Sequence, residues 1–206
     1  MTNMKHNGND QITNQEHFMK MAIEAAKDST CLKRKVGAVI VKDDEIISQG
    51  TNGGDTEYLN CTAMGDGGVC YWKKKAYDMA RREHIDFEGD NFQTIKKEAR
   101  TLCLSTCAER RAIFRILNLE SLQNAMMYCT TYPCPACAKM IRLAGIKKVF
   151  YMHDYDETRA ICQETCRIFE EAGISTEQMV LEGEVGCVGK RTEYNYRECE
   201  PNGRRS

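Results

Sequence analysis

The sequence predicts an α/β fold with three layers (α/β/α), in which a mixed central sheet of about five strands lies between helices. After residue 100, helical and strand patterns alternate, which is typical of crossover connections between parallel strands. Before residue 55, two strand patterns are separated by a short turn, which indicates an antiparallel hairpin and makes the sheet mixed. A chain of 206 residues suits one such domain with a buried core.

The elements before residue 55 follow from the spacing of apolar side chains. These recur every three or four positions over residues 15–28, which predicts a helix. Residues 35–42 are largely apolar and predict a first strand, and residues 45–51 predict a second. Asp43-Asp44 between them is a turn signal, and Asn52-Gly53 ends the second strand.

Residues 55–100 give the weakest pattern. The segment is too long for an ordinary loop, so we interpret it as an insertion that a further interaction must hold in place. Within it we predict a helix around residues 72–83, followed by His84 and a polar connector.

The rest of the chain alternates regularly. We divide the whole into a disordered leader (1–14), a single domain (15–182) that contains the insertion, and a tail (183–206) to which we assign no structure. After residue 100, helices are predicted directly after Cys107 and over 134–144 and 158–172, and strands over 125–131, 147–152 and 174–181.

Composition and charge exclude several classes of function. The formal net charge is −1, and the absence of a basic excess argues against duplex nucleic acid as a partner. Residues 1–14 show no apolar segment of a signal peptide, and no apolar run approaches the ~20 residues that span a bilayer. We therefore expect a cytoplasmic protein without a membrane partner. The 12 cysteines in such a protein point toward metal binding.

Three cysteines organise the chain: Cys107, Cys134 and Cys137. Cys-x-x-Cys at a predicted helix start places two sulfurs on one side of an ion, and the N–H groups of the helix start favour thiolates. Cys107 lies at another predicted helix start, so three sulfurs can hold one Zn²⁺. No fourth ligand stands close in the sequence, which leaves a position for water and predicts a catalytic ion.

Glu109 adds a carboxylate to this group. Two residues after Cys107, it points to another side of the first helical turn and can lie beside a bound water without ligating the metal. A carboxylate there can take the proton of the water and deliver it to a leaving amine. The order Cys-x-Glu and then Pro-Cys-x-x-Cys is that of zinc deaminases. The simpler alternative is a structural zinc with an exposed Glu109.

Around these motifs the chain resembles the deoxycytidylate (dCMP) deaminases and the related competence-type (ComE) deaminases. The matching stretches are Ser-Thr-Cys from Ser29, Val-Gly-Ala-Val-Ile-Val from Val36, Asn52-Gly53, Pro-Cys-Pro-Ala-Cys-Ala-Lys from Pro133, and Asp154-Tyr155. The resemblance implies a cytidine-deaminase-like fold and hydrolysis of dCMP to dUMP and ammonia, which would supply dUMP for thymidylate synthesis. It also implies Glu109 as the proton shuttle and Asn52, Ala108 and Tyr155 as substrate contacts.

The resemblance extends to partners. Relatives of this kind form dimers to hexamers, so we expect a homo-oligomer. Some are regulated by dCTP or dTTP with Mg²⁺. The segment after Asn52-Gly53 departs from the family pattern, because it begins Gly54-Asp55-Thr56. Regulation by these nucleotides therefore stays an open alternative.

The zinc motif itself also departs from the family. Deoxycytidylate deaminases usually carry His-Ala-Glu where this chain has Cys107-Ala108-Glu109. Cys-Ala-Glu-Arg resembles the tetrameric cytidine deaminases, in which the Arg donates hydrogen bonds to ligand sulfurs. That resemblance gives Arg110 the role of offsetting the third thiolate. It keeps cytidine or deoxycytidine as an alternative substrate; a further alternative is a non-catalytic zinc-stapled module for DNA uptake or assembly.

Further cysteines surround the insertion, and competence-type relatives carry cysteines and a histidine in similar places. We predict a second, structural Zn²⁺ that staples the insertion. Its ligands would be Cys31, Cys61, Cys103 and either Cys70 or His84. The alternative is a set of free buried thiols.

Overall fold

A computed structural model describes residues 14–54, 61, 70–155 and 159–181. The predicted tail and all but the last residue of the predicted leader lie outside the described residues, as does most of the segment between Asp55 and Cys70. The proposed domain boundaries therefore stay a prediction.

The described strands form one mixed five-stranded sheet in the order β2-β1-β3-β4-β5. β1 is antiparallel to β2 and to β3, whereas β3, β4 and β5 run parallel to one another. The predicted fold class is confirmed. The strands are β1 (Gly37–Lys42), β2 (Glu45–Thr51), β3 (Met126–Thr131), β4 (Lys148–His153) and β5 (Ser175–Gln178).

The turn between β1 and β2 is formed by the two aspartates from which it was predicted. Asp43 has φ 52° and Asp44 has φ 60°, so both residues are left-handed. This is the pattern of a two-residue type I′ turn, which Asp tolerates better than most side chains.

Helices cover both faces of the sheet. The side chains of β1 are buried on both, with Ala38 and Ile40 in one core cluster and Val39 and Val41 in the other. The first cluster includes residues of α4, α5 and α6, and the second includes residues of α1. The helices are α1 (Asn14–Lys27), α2 (Tyr71–Arg82), α3 (Asp90–Arg100), α4 (Ala108–Phe114), a 3₁₀ turn (Leu119–Leu122), α5 (Pro135–Leu143) and α6 (Arg159–Glu171). None of them is long and apolar enough to cross a membrane.

Two glycines let helices approach the sheet closely. A Cβ at Gly37 would lie 2.0 Å from the carbonyl oxygen of Ala22 in α1. A Cβ at Gly50 would lie 2.2 Å from the carbonyl oxygen of Ala108 in α4. Because these contacts are to backbone atoms, α1 and α4 could not sit where they do beside a larger residue.

The insertion is more ordered than its sequence suggested. The predicted helix around residues 72–83 is confirmed as α2. The polar connector that was predicted after His84 was wrong, because this segment contains the helix α3. These two helices bury apolar side chains in a third core cluster of their own. From α2 this cluster takes Trp72, Ala76 and Ala80, and from α3 it takes Phe92, Ile95 and Ala99.

Candidate metal centre

Three cysteine sulfurs meet where two helices begin. Cys107 precedes the first residue of α4, and Cys134 precedes the first residue of α5, which carries Cys137 on its first turn. Their sulfur atoms all lie within 4.8 Å of one another. Within the part of the chain that the structure describes, no other group of three or more metal-ligating side chains is as compact. The predicted ligand set is thus brought together, in a geometry suited to Zn²⁺.

The three thiols strongly change one another's pKa. Hydrogen bonds from Cys107 and Cys137 lower the pKa of Cys134 to about 2. The hydrogen bond with Cys134 raises the pKa of Cys107 to about 12, and hydrogen bonds to Cys107 and Cys134 also raise that of Cys137. Three thiolates this close repel one another, and a divalent cation is the partner that lets all three ionise.

Glu109 lies directly beside the sulfurs. Its side chain is buried, with 5% of the residue exposed, which contradicts the alternative of an exposed glutamate. Burial, and then the negative charge of Cys134, raises the pKa of the carboxyl to about 7, while a hydrogen bond from Cys137 opposes the rise. A buried carboxyl group next to these sulfurs is placed to exchange protons, which a hydrated carboxylate on the surface is not.

Arg110 brings positive charge to the same cluster. Burial lowers the pKa of its guanidinium, but the charges of Cys107 and Cys137 and a hydrogen bond to Cys137 outweigh burial and raise it. The charge of Arg110 therefore lies close to the three sulfurs, and its role in offsetting a third thiolate stays a prediction.

Asn52 holds the rim of the site together. Its Oδ1 accepts hydrogen bonds from Ser29 Oγ at 2.6 Å and from the Val36 N–H at 2.8 Å, and its Nδ2 donates to the Arg34 carbonyl at 2.8 Å. The next residue, Gly53, exchanges two backbone hydrogen bonds with Thr106, the neighbour of Cys107. Asn52 is thus beside the site, but its amide already orders the loop from 29 to 36. Substrate contact by Asn52 stays a prediction.

Tyr155 follows β4, the strand next to the one that leads to Cys134. Thr131 pairs with His153 in the parallel ladder, and the Tyr132 N–H donates to the His153 carbonyl at 2.7 Å. The segment that follows β4 therefore leaves the sheet at the same edge as the segment that carries Cys134. Ala108 opens α4 and is fully buried, with its carbonyl packed against Gly50. Contacts of Tyr155 and Ala108 with a substrate stay predictions.

The cysteines predicted for a second ion also lie near one another. Cys61 and Cys70 have their sulfurs 4.0 Å apart, and burial followed by the Cys61 charge raises the pKa of Cys70 to about 11. Burial raises the pKa of Cys103, and the charges of Cys31 and Cys61 add to the rise. These four sulfurs are less tightly grouped than those at Cys107, Cys134 and Cys137.

His84 is separated from this group by a whole helix. It follows α2, whose 12 residues begin directly after Cys70. At the usual rise α2 is ~18 Å long, so His84 and Cys70 lie at opposite ends of it. The geometry favours Cys70 over His84 as the fourth member of the group.

One residue near the site was missed from the sequence. The guanidinium of Arg34 lies over the ring of Tyr155, 5.7 Å from its centroid. A single cation in a loop carries no periodicity, so only the fold could place it at the site.

Most of the chain matches a known protein family. The family model for the cytidine and deoxycytidylate deaminase zinc-binding region matches residues 12–153, and the chain belongs to this family.

Named relatives are deoxycytidylate deaminases. The chain is 34% identical over 151 residues to that of Enterobacteria phage T4, which covers 68% of this chain and 78% of the phage protein. It is 32% identical over 164 residues to that of Saccharomyces cerevisiae, which covers 79% of this chain but 43% of the yeast protein, so the chain matches less than half of that relative. The solved structure of dCMP deaminase from the cyanophage S-TIM5 in complex with dCMP and dUMP is also similar. It has a TM-score of 0.52 and 26% identity, with 80% of this chain and 96% of that chain covered.

Proposed function

We propose that this protein is a zinc-dependent deaminase that hydrolyses dCMP to dUMP and ammonia, and so supplies dUMP for thymidylate synthesis. The observation that carries the proposal is a buried Glu109 that is hydrogen-bonded to Cys137, one of three converging cysteine sulfurs. A purely structural zinc has no use for a carboxyl group buried at its ligands. The names of the relatives and the nucleotides bound by the cyanophage enzyme support dCMP as the substrate.

The chain's own residues would divide the work. Cys107, Cys134 and Cys137 would hold Zn²⁺, which activates water for attack on C4 of the cytosine ring. Glu109 would accept one proton of that water and deliver it to the ring nitrogen beside C4, and would then move the second proton from the new C4 oxygen to the amino group, which leaves as ammonia. Arg110, through its bond to Cys137, would offset the charge of the third thiolate.

The proposal is tested by incubating zinc-loaded protein with dCMP and measuring both dUMP and ammonia. Equal amounts of the two products are expected. Absence of turnover of dCMP by protein that retains its zinc would overturn the proposal.

A nucleoside is the competing substrate, and the Cys-Ala-Glu-Arg motif favours it. Turnover of deoxycytidine or cytidine above that of dCMP would establish this alternative. A non-catalytic zinc-stapled module for DNA uptake or assembly is tested separately, because its biological activity would survive loss of Glu109 with zinc retained.

A second, structural zinc forms part of the proposal. Cys31, Cys61, Cys70 and Cys103 would hold it, and the contact of Cys61 with Cys70 supports this set. Such an ion would tie the insertion to the loop before β1 and to the segment before α4.

We also propose that the chain forms a homo-oligomer. Large apolar side chains are exposed at the ends of α4 and α5 and just after α4, as expected where subunits meet. They include Phe114, Leu117, Leu119 and Leu143. Regulation by dCTP or dTTP with Mg²⁺ and a cytoplasmic location stay predictions of the sequence.

A further inference from the structure

Two aromatic rings of the insertion are half open to solvent. α2 and α3 form a helical hairpin, in which the ring centroids of Tyr77 and Phe92 lie 5.2 Å apart. The ring of Phe87, from the connection between the two helices, lies 5.3 Å from that of Tyr77 and 5.4 Å from that of Phe92. Phe92 is buried, whereas Tyr77 is 42% exposed and Phe87 is 40% exposed. The hairpin therefore presents two adjacent rings that its own core does not cover.

Cations border these rings. Lys73 and Arg81 lie four residues before and after Tyr77, on the same row of α2, and both are exposed. The Lys96 ammonium lies over the Phe92 ring, 4.7 Å from its centroid, which places it on the same side of α3. The side chains of Lys73 and Arg81 form no hydrogen bond or ion pair with another described residue. We call this surface the aromatic–basic face; it consists of Lys73, Tyr77, Arg81, Phe87 and Lys96.

Acidic residues of the two helices point away from this face. Successive residues of an α-helix are ~100° apart, so Asp78 faces a different direction from Tyr77. On α3, Glu98 lies on the opposite side of the buried stripe of that helix from Lys96. In the connection, the Asp86 carboxylate accepts the N–H of Glu88 at 3.2 Å and so is turned toward its own loop. The face therefore combines exposed rings with positive charge.

We propose that the aromatic–basic face binds single-stranded nucleic acid. Exposed rings can stack on unpaired bases, while the cations beside them attract the phosphates. A duplex covers the faces of its bases, so it would use the cations alone. An apolar protein partner would remove the charges of Lys73 and Arg81 from water without a counter-charge, which is unfavourable. The formal net charge of the whole chain is −1, so the attraction is local to this face. This inference does not depend on the proposed deaminase function.

The experiment measures binding by fluorescence anisotropy. Zinc-loaded full-length protein is added to labelled oligothymidylate of about 20 nucleotides, and a duplex of the same length is the comparison. The single strand should bind more tightly than the duplex, and its affinity should fall as the salt concentration rises. Absence of binding to the single strand at low salt would overturn the proposal.

Two double variants separate the contributions of charge and stacking. K73Q/R81Q should bind the single strand roughly 10-fold more weakly, and its salt dependence should lose a slope of about 1.4, as expected for two phosphate contacts. Y77L/F87L keeps apolar contact with Phe92 but removes the rings that stack, so its affinity should fall roughly 5- to 100-fold. Circular dichroism checks that both variants keep their helices. Unchanged affinity of Y77L/F87L would contradict the proposal.

The matched control is R82Q/K97Q. Arg82 and Lys97 are exposed on other rows of α2 and α3, so this variant removes the same charge outside the aromatic–basic face. It should bind the single strand as the unmodified protein does. Equal weakening of R82Q/K97Q and K73Q/R81Q would show that the attraction is not specific to the face and would overturn the proposal.

A second copy of the chain is the competing occupant of this face. Sedimentation of the unmodified protein and of Y77L/F87L distinguishes it. A lower oligomeric mass for the variant, with its oligonucleotide affinity unchanged, would assign the face to a contact between subunits and contradict the proposal. Equal masses with weaker oligonucleotide binding by the variant are the expected result.

Discussion

At the scale of single residues, the decisive feature is the position of Glu109. A carboxyl group that loses its water must find compensation, because burial alone penalises its charged form. Here the compensation comes from hydrogen bonding to Cys137 and from the charge of Arg110. The same arrangement keeps the carboxyl able to gain and lose a proton beside the three sulfurs, which the proposed deamination requires.

The first prediction concerns Glu109→Gln. The substitution keeps the shape of the side chain but removes the proton-accepting group, so kcat for dCMP should fall by ~100-fold or more, while bound zinc is retained. Turnover and metal content are measured on the same preparation. Glu120→Gln, at an exposed position in the 3₁₀ turn, is the control and should leave both unchanged. Near-normal turnover by the Glu109 variant would contradict the proposed mechanism.

The second prediction concerns Arg110→Ala. Without the guanidinium and its bond to Cys137, the negative charge of the three thiolates is no longer offset. Zinc affinity or kcat should therefore fall ~10- to 100-fold. Competition with a chelator reports the affinity. Arg142→Ala removes an exposed arginine from the last turn of α5 and serves as the control. An Arg110 variant with the affinity and activity of the unmodified protein would show that the arginine is not needed at the sulfurs.

The sequence predicted the chemistry of this site better than its surroundings. Cys107, Cys134 and Cys137 could be found because ligand spacing is local and chemically specific. The structural task of Asn52 and the contact of Arg34 with Tyr155 depend on segments that are far apart in sequence. No local pattern reports such contacts.

At the scale of elements, the site depends on where two helices begin. α4 can present Cys107 and Glu109 only because it packs closely on β2 at Gly50. α5 begins with Pro135 at a position where a missing N–H is harmless, and this fixes the turn that carries Cys134 and Cys137. Small residues at the sheet therefore determine the position of the reactive ones.

The third prediction concerns Gly50→Ala. Its Cβ would lie 2.2 Å from the backbone oxygen of Ala108, so α4 must shift, and the free energy of unfolding should fall by about 1–3 kcal/mol. Urea unfolding measures the change, and kcat should fall with it because α4 carries Glu109. Gly89→Ala is the control, since its nearest contact would be 3.6 Å away and its φ is −79°, so only the cost of Ala at a helix N-cap is expected, roughly 0.5–1 kcal/mol. Equal stability of the two variants would show that α4 adapts without strain.

The elements of the core and α2 of the insertion were predictable to within a few residues, whereas α3 was not. The inner strands β1, β3 and β4 are buried along most of their length, so their sequences are rich in apolar residues. α3 instead buries a narrow stripe of Phe92, Ile95 and Ala99 against α2 while charged residues surround it. A stripe of three residues in a polar segment gives too weak a periodic signal to identify a helix.

At the scale of the whole molecule, the described residues form a five-stranded sheet with its helices and a separate pair of helices, α2 and α3. The sheet has a large core cluster on each of its faces, whereas α2 and α3 pack mainly on each other around a small cluster of their own. A core of that size is marginal by itself, because few apolar groups are removed from water. The proposed second zinc, held by Cys31, Cys61, Cys70 and Cys103, would stabilise this pair of helices.

The fourth prediction follows from this architecture and concerns Cys70→Ser. Zinc-loaded protein should contain two zinc ions per chain, and the variant should retain one, because Cys70 lies outside the centre formed by Cys107, Cys134 and Cys137. Loss of the staple should increase amide hydrogen exchange in α2 and α3 much more than in β3 and β4, since the sheet has its own core. Cys166→Ser is the matched control: its sulfur lies 3.4 Å from the Tyr132 hydroxyl, in contact with the main core, so both ions should remain. A single zinc per chain in the unmodified protein, with Cys61 and Cys70 open to thiol reagents, would show that these cysteines are free thiols and that the hairpin is held by its apolar contacts alone.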